Sequence, residues 1–238
     1  MTGRALVPSS GDFADDDGTA DPRLEAALAR VNGSEEVSAA LLDARLLVPI
    51  LATPLSAEHG ADLALVTVIG RDGQRALPAF TSLDTLVRWR TDARPVPVRA
   101  SRAAAATYDE EAVALVLDIA GPIPHTISGS RLAALAEGRA WQPAYADGQV
   151  ATVVRGHLLA LAGATVRAHL RPSEHADAMV LLVPDAGLDP PRVEGIARDL
   201  AARLAADSVL RARLDAGLDL AVVGSAEQVV ERGVDELR

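Results

Sequence analysis

Several short runs of this sequence are apolar on both faces and are bounded by turn-forming residues. The clearest is Leu63-Ala64-Leu65-Val66-Thr67-Val68-Ile69, and similar runs cover 46–52 and 112–117. A strand that is apolar on both sides must be covered by other elements on both sides. The pattern therefore predicts short buried strands packed between helices.

Signals for helix starts lie between these runs. Asp21 followed by Pro22 is typical of an N-cap with proline at the first helical position. Thr81, with Asp84 three residues later, resembles a capping box and predicts a helix that continues to about residue 90. Asp189-Pro190 indicates a similar start in the second half of the chain.

Further strands are predicted from turn-forming residues and from the alternation of apolar and polar residues. Gly70-Arg71-Asp72-Gly73 indicates a hairpin that leads into a strand over 74–79. Apolar and polar residues alternate over 164–171, which predicts a strand with one face in water, and the apolar run 178–183 is expected to pair with it. A last strand is predicted from Leu218 to Val223.

Together these elements predict an α+β fold of two small mixed-sheet domains with flanking helices. The length of 238 residues suits one large domain or two small ones. Residues 1–20 are rich in Gly, Ser, Thr and Asp, and we expect a disordered acidic tail there. The first domain is predicted at 21–138, a linker at 139–149 and a second α+β domain at 150–238.

The residue types that the chain lacks exclude several chemistries. It has no cysteine, and all 23 of its basic residues are arginine. Disulfides, thiolate nucleophiles, cysteine-ligated zinc and iron–sulfur clusters are therefore excluded. The lack of lysine also excludes lysine Schiff bases and the lysine of a phosphate-binding loop. No cofactor is expected.

No catalytic constellation stands out in the sequence. No two of its five histidines have the i, i+4 spacing, with a glutamate, that a zinc hydrolase uses; they are His59, His125, His157, His169 and His175. Ser130 lacks the glycine two residues earlier that a nucleophile elbow needs. No dinucleotide-binding glycine motif occurs. We expect neither a metal site nor an enzyme.

The charge is acidic overall and uneven along the chain. A net charge of −10 argues against nucleic acid as a partner, because phosphates require a positive surface. Residues 71–102 nevertheless hold seven arginines against three aspartates, and Arg88, Arg90 and Arg94 are among them. Such a basic face is either a solvated surface or a site for an acidic partner, including the protein's own tail.

The hydropathy pattern argues against insertion into a membrane. The uncharged runs are too short to span a bilayer, which takes ~20 residues, and no signal-peptide pattern begins the chain. We therefore expect a cytoplasmic protein. The exclusive use of arginine and the abundance of alanine are typical of a GC-rich bacterial genome.

Phe80, Thr81 and Ser82 are the strongest candidates for a binding site. Thr81 and Ser82 fall at a predicted helix N-terminus, where free N–H groups could hold a carboxylate or phosphate. The alternative is that Phe80 packs in the core and Thr81 only caps the helix. Trp89, near the end of the same helix, is either a core residue or a partner anchor beside Arg88, Arg90 and Arg94.

The stretch from Ala76 to Trp89 resembles the N-terminal domain of the SseB (enhanced serine sensitivity) family. The resemblance covers about residues 40–138, with supporting blocks at Leu47-Val48-Pro49, Asp72-Gly73, Arg94-Pro95-Val96-Pro97-Val98, Leu115-Val116-Leu117 and Gly121-Pro122. Family members often have Asn-Pro where this chain has Asp118-Ile119. Leu188-Asp189 and 217–220 are similar to the C-terminal part of actinobacterial members. The resemblance implies a fold and no catalytic residue or cofactor.

Three functional hypotheses remain open. The first is a non-catalytic binding or regulatory protein that acts through a protein partner. The second is a small-ligand sensor, for example for an amino acid, in which Thr81 and Ser82 hold the ligand's carboxylate. The third is an enzyme of unrecognised type. The identity of the partner and the oligomeric state stay open.

Overall fold

The computed structural model describes residues 13, 15–30, 34–54, 61–71 and 73–223. The chain divides into two compact units between Trp141 and Gln142. Both units combine helices with small mixed or antiparallel sheets, so the predicted α+β class is confirmed. No helix in the described part of the chain is long and apolar enough to cross a membrane.

The first unit contains five helices and seven strands among its described residues. The helices are α1 (Pro22–Leu28), α2 (Ser34–Asp43), α3 (Leu83–Trp89), α4 (Ala100–Asp109) and α5 (Gly129–Ala136). The strands are β1 (Arg45–Pro54), β2 (Ala61–Leu65), β3 (Val68–Ile69), β4 (Arg75–Ala79), β5 (Arg94–Arg99), β6 (Ala114–Leu117) and β7 (His125–Ser128).

Two sheets organise this unit. One has the order β2-β1-β5 and is antiparallel, and the other has the order β3-β4-β6-β7. In the second sheet β4 and β6 run parallel, with Ala79 opposite Leu117. An antiparallel bridge between Leu47 and Phe80 joins β1 to the end of β4. The ends of β4 and β6 therefore leave the sheet together, close to β1.

The apolar core of the first unit packs the helices against these strands. Its fully buried members include Leu24, Leu41, Leu77, Leu115 and Leu132, one from each of five elements. Burying a leucine side chain contributes about 1.5–3 kcal/mol, so these positions stabilise the unit directly. The aliphatic runs that predicted buried strands supply much of this core.

The second unit contains α6 (Gly148–Ala162), β8 (Val166–Arg171), β9 (Ala178–Pro184), α7 (Pro190–Ala206), α8 (Ser208–Arg211) and β10 (Leu218–Val222). Its sheet has the order β10-β9-β8. The predicted antiparallel pairing of β8 with β9 is confirmed, and β10 pairs parallel with β9. Side chains of α6, α7 and the sheet share one apolar core.

Several elements differ from the sequence-based expectation. The run predicted as one strand over 63–69 is two short strands that are separated at 66–67. The extended segment at Pro95 and Pro97 is strand β5, which tolerates proline because it lies at the edge of its sheet. Helix α6 and strand β7 had no sequence-based prediction.

The N-terminal tail also differs in part from the sequence-based expectation. Residues 15–20, expected to be disordered, lie against the first unit through the side chain of Asp16 and the backbone of Gly18. The reason is that Asp16 forms an ion pair with Arg45, whose side chain is only 13% exposed. Residues 1–12 and 14 of the predicted tail lie outside the described residues.

Candidate functional site

Phe80, Thr81 and Ser82 form the connection between β4 and α3. The backbone N–H of Phe80 donates to Leu47 O at 2.9 Å, and Leu47 N–H donates to Phe80 O at 2.8 Å. The Phe80 side chain is fully buried, and its ring lies 5.3 Å from that of Trp89. Of the two interpretations considered for Phe80, the structure supports the core residue.

Thr81 binds a carboxylate that belongs to the protein itself. Its N–H donates to Asp118 Oδ1 at 2.9 Å and its hydroxyl donates to Asp118 Oδ2 at 2.7 Å. The hydroxyl of Thr85 donates to Asp118 Oδ1 at 2.6 Å. Thr81 and Asp118 are only 5% and 8% exposed. The buried carboxylate thus has three hydrogen-bond donors and connects β6 to the start of α3.

The parallel register of β4 and β6 creates this contact. Because Ala79 lies opposite Leu117, the residues that follow each strand emerge at the same edge of the sheet. Asp118 N–H donates to Ala79 O at 2.9 Å, and the Asp118 backbone has a φ of 49°. Asp is one of the few residues other than Gly that adopt this left-handed conformation readily.

Helix α3 is capped one residue later than predicted. Ser82 is the N-cap, and its side chain forms a reciprocal capping box with Thr85. The prediction of a Thr81–Asp84 capping box was wrong because Asp118 engages the Thr81 hydroxyl. Asp84 instead forms an exposed ion pair with Arg88 at 2.7 Å.

The tail completes the contacts around this helix start. Leu83 N–H donates to Gly18 O at 2.8 Å. The Arg45 guanidinium binds Asp16 through two contacts of 2.8 Å, and it also donates to Thr81 O at 2.9 Å. Arg45 therefore ties the tail to the connection between β4 and α3.

These contacts use the donors that a ligand would need. The N–H groups of Thr81, Leu83 and Thr85 have acceptors within the protein, and the weaker donation of Ser82 N–H reaches Thr85 Oγ1 at 3.4 Å. A ligand carboxylate at Thr81 would have to displace that of Asp118. This geometry disfavours the amino-acid sensor hypothesis, which relied on free donors at Thr81 and Ser82.

The predicted basic face is partly neutralised. Arg88 pairs with Asp84, and Arg90 pairs with Asp92 through two hydrogen bonds of 2.9 and 2.7 Å. The Arg90 hydrogen bond lowers the pKa of Asp92 below its ordinary value. Arg94, which begins β5, is exposed. The described part of the tail lies on Arg45 and not on these residues.

Beside the buried site lies an exposed apolar surface on α3. Leu83 and Val87, one helical turn apart, are 42% and 45% exposed. Trp89 is half-buried, with the Arg90 guanidinium carbon 6.0 Å from its ring centre. We define the α3 surface as Leu83, Val87, Trp89, Arg90 and Arg94. It contains three of the seven predicted site residues, namely Trp89, Arg90 and Arg94.

Two of the described histidines have a pKa below the ordinary value for histidine. Burial, reinforced by the charge of Arg131, lowers the pKa of His125. Burial also lowers the pKa of His169, with smaller contributions from Arg171 and Arg167. In the part of the chain that the structure describes, no three metal-ligating side chains lie together, and His59 is outside that part.

Sequence reasoning missed two residues that organise the site. Asp118 directly follows a predicted buried strand, which was a usable signal, but nothing in the sequence showed that β6 would pair with β4. Arg45 precedes the first predicted strand, and its partner Asp16 lies 29 residues away in a segment expected to be disordered.

Comparison with known families agrees with the resemblance seen in the sequence. Residues 24–134 match the family model of the SseB protein N-terminal domain. The match supports the SseB family for the first unit, whose matched part we call the SseB domain. It ends before α6, so the similarity of the second unit to actinobacterial members stays a prediction. No curated protein and no solved structure gives a significant match.

Proposed function

We propose that this chain is a non-catalytic binding or regulatory protein and that its SseB domain binds a protein partner through the α3 surface. The observation that carries the proposal is the contrast between two neighbouring sites. The polar groups of Thr81 are fully used within the protein. The apolar side chains of Leu83 and Val87, on helix α3 directly after it, are exposed.

The chemistry of the α3 surface suggests the kind of partner. Completing the burial of Leu83 and Val87 would contribute roughly 1 kcal/mol each, and tryptophan and arginine are common anchors at interfaces. Because Arg90 is already paired with Asp92, the cation best able to accept a new carboxylate is Arg94. The surface therefore suits a segment with two apolar side chains and an acidic residue opposite Arg94.

The buried network gives this surface a fixed shape. Asp118 holds the first turn of α3 through Thr81 and Thr85, and Phe80 supports the ring of Trp89 from below. A rigid surface loses less conformational entropy on binding than a mobile one. The network is thus proposed to support binding without touching the partner.

The test is affinity capture with the purified full chain as bait, followed by identification of directly cross-linked proteins. Leu83→Glu and Val87→Glu place a charge on the α3 surface, and we expect either variant to lose the cross-linked partner. The matched control is Val113→Glu, because Val113 is 49% exposed but lies at the opposite end of β6 from Asp118.

Folding of each variant is checked by tryptophan fluorescence, since Trp89 contacts Phe80. Retention of the same partner by the α3 variants, or its loss with Val113→Glu as well, would contradict the proposal. A partner that is lost only with Arg94→Glu would assign the interaction to charge alone. That result would also contradict the role given to Leu83 and Val87.

A further inference from the structure

The N-terminal tail contacts the first unit as a peptide ligand would, through one carboxylate and two carbonyl groups. The Asp16 carboxylate is held by Arg45 through two contacts of 2.8 Å. Gly18 O accepts the Leu83 N–H at 2.8 Å, and Thr19 O accepts a hydrogen bond from Arg45. Because these contacts use only a carboxylate and main-chain atoms, another segment of the same chemistry can make them.

The glycine of the tail is as important to this contact as the aspartate. Gly18 has a φ of 78°, a left-handed conformation that residues with a side chain rarely adopt. A Cβ atom built on Gly18 would lie 3.1 Å from Leu83 Cβ, which is closer than such atoms normally approach. The Gly18 N–H also donates to Asp16 Oδ1 at 2.9 Å and closes the turn. The bound pattern is therefore Asp-x-Gly.

Arg45 depends on the tail for its counterion. With the tail bound, its side chain is only 13% exposed. Among the described residues outside the tail, the acceptor of the Arg45 guanidinium is a neutral carbonyl, Thr81 O, at 2.9 Å. A charge that is so far buried needs a carboxylate partner to offset its lost hydration. If the tail left, the carboxylate of another segment would therefore be the group that best replaces Asp16.

The tail is attached with little apolar contact. Between residues 15 and 20 the one apolar side chain is that of Ala20, which is half-buried. An open cleft of about 660 Å³ adjoins the tail, and the exposed side chains of Arg23 and Asp43 also line it. Hydrogen bonds of a peptide exchange readily with those of water, whereas apolar burial drives most lasting association. A segment held in this way can leave and be replaced.

We propose that Arg45 is the centre of a binding site for an acidic Asp-x-Gly segment of a partner protein, and that residues 15–20 occupy this site in cis. The partner's carboxylate takes the place of Asp16, and its carbonyl groups take the places of those of Gly18 and Thr19. The tail is then an autoinhibitory segment. Because it is joined to the site, its effective concentration there is high, and a partner must compete with it.

Peptide binding in trans tests the proposal with the full chain. A fluorescent peptide with the sequence of residues 15–21 is titrated with wild type, Asp16→Ala or Gly18→Val, and its anisotropy is measured. Asp16→Ala removes the carboxylate of the chain's own tail, and Gly18→Val places a side chain against Leu83. We expect each variant to bind the peptide roughly tenfold or more tightly than wild type does.

Two peptides of equal charge are the matched control. One carries Asp16→Asn, which removes the carboxylate that Arg45 binds, and the other carries Asp15→Asn, which changes an exposed side chain. With the Gly18→Val chain, the Asp16→Asn peptide should bind roughly tenfold more weakly than the Asp15→Asn peptide. Adding Arg45→Gln to the Gly18→Val chain should abolish binding of the unsubstituted peptide, and tryptophan fluorescence checks that this chain is folded.

Three results would overturn the proposal. Equal affinity of wild type and the two tail variants would show that the tail does not occupy the site. Equal affinity of the two substituted peptides would show a general attraction between charges and no recognition of Asp16. No binding to either tail variant would show that these contacts hold only the chain's own tail. None of these results concerns partner binding by the α3 surface, because the assay contains no partner protein.

Discussion

The buried carboxylate of Asp118 allows the sharpest test of the site. In Asp118→Ala the N–H and hydroxyl of Thr81 lose their acceptor while Thr81 stays in a position that is only 5% exposed. The hydroxyl of Thr85 loses the same partner. Alanine would also have to adopt the left-handed backbone conformation of Asp118, which aspartate tolerates better.

These losses set the expected magnitude. A buried donor left without an acceptor costs about 1–3 kcal/mol, and a left-handed alanine costs about 1–2 kcal/mol. Allowing for partial relaxation, Asp118→Ala should lower the free energy of unfolding by about 3–5 kcal/mol. Asp118→Asn keeps one acceptor oxygen and tolerates the backbone conformation, so it should cost about 1–2 kcal/mol.

Urea unfolding followed by tryptophan fluorescence measures this loss of stability in the first structural unit, which contains Asp118. Both tryptophans, Trp89 and Trp141, belong to the first unit, so the signal reports that unit. The control is Asp109→Asn, an exposed carboxylate that should change stability by less than about 0.5 kcal/mol. An Asp118→Ala protein as stable as this control would refute the assigned role of the network.

Three further outcomes are expected. Arg45→Gln should release the tail and increase hydrogen exchange at the Leu83 amide by roughly tenfold or more; unchanged exchange would mean that the tail is held by other contacts. Hydrogen bonds from the His157 side chain and from two backbone amides of α8 lower the pKa of the Asp207 carboxyl group. The stability that these hydrogen bonds provide is therefore present above the ordinary aspartate pKa and is lost as the pH falls below it. Asp207→Asn should therefore flatten the loss of stability below about pH 4, measured by thermal unfolding at successive pH values. Asp177→Ala should destabilise the second unit by about 2 kcal/mol, because its carboxylate accepts three successive backbone N–H groups that end at Gly217; calorimetry would detect it.

Local patterns predicted many elements correctly. The hairpin before residue 74 is present as the antiparallel pair of β3 and β4, although Asp72 itself lies outside the described residues. Asp21 caps α1 as predicted, because its side chain accepts the Arg23 N–H and Pro22 is the first helical residue. These features depend on residues within a few positions of one another, so a short window of sequence contains the information.

Contacts between distant residues were not predictable in the same way. Thr81 and Asp118 are 37 positions apart and meet only because β4 and β6 pair in parallel with a particular register. The shift of the capping box from Thr81 to Ser82 follows from that contact. The local pattern allowed either residue to cap the helix, and a distant carboxylate decided between them.

The sequence by itself determined the α+β class, the aliphatic composition of the core and the chemistries excluded by the lack of cysteine and lysine. Those properties depend on residue types and short-range periodicity. Tertiary structure alone decided that the candidate site is closed by Asp118 and that the tail binds Arg45. The reason is that strand pairing fixes which distant polar groups share a buried space, and only then is it clear which donors remain for another molecule.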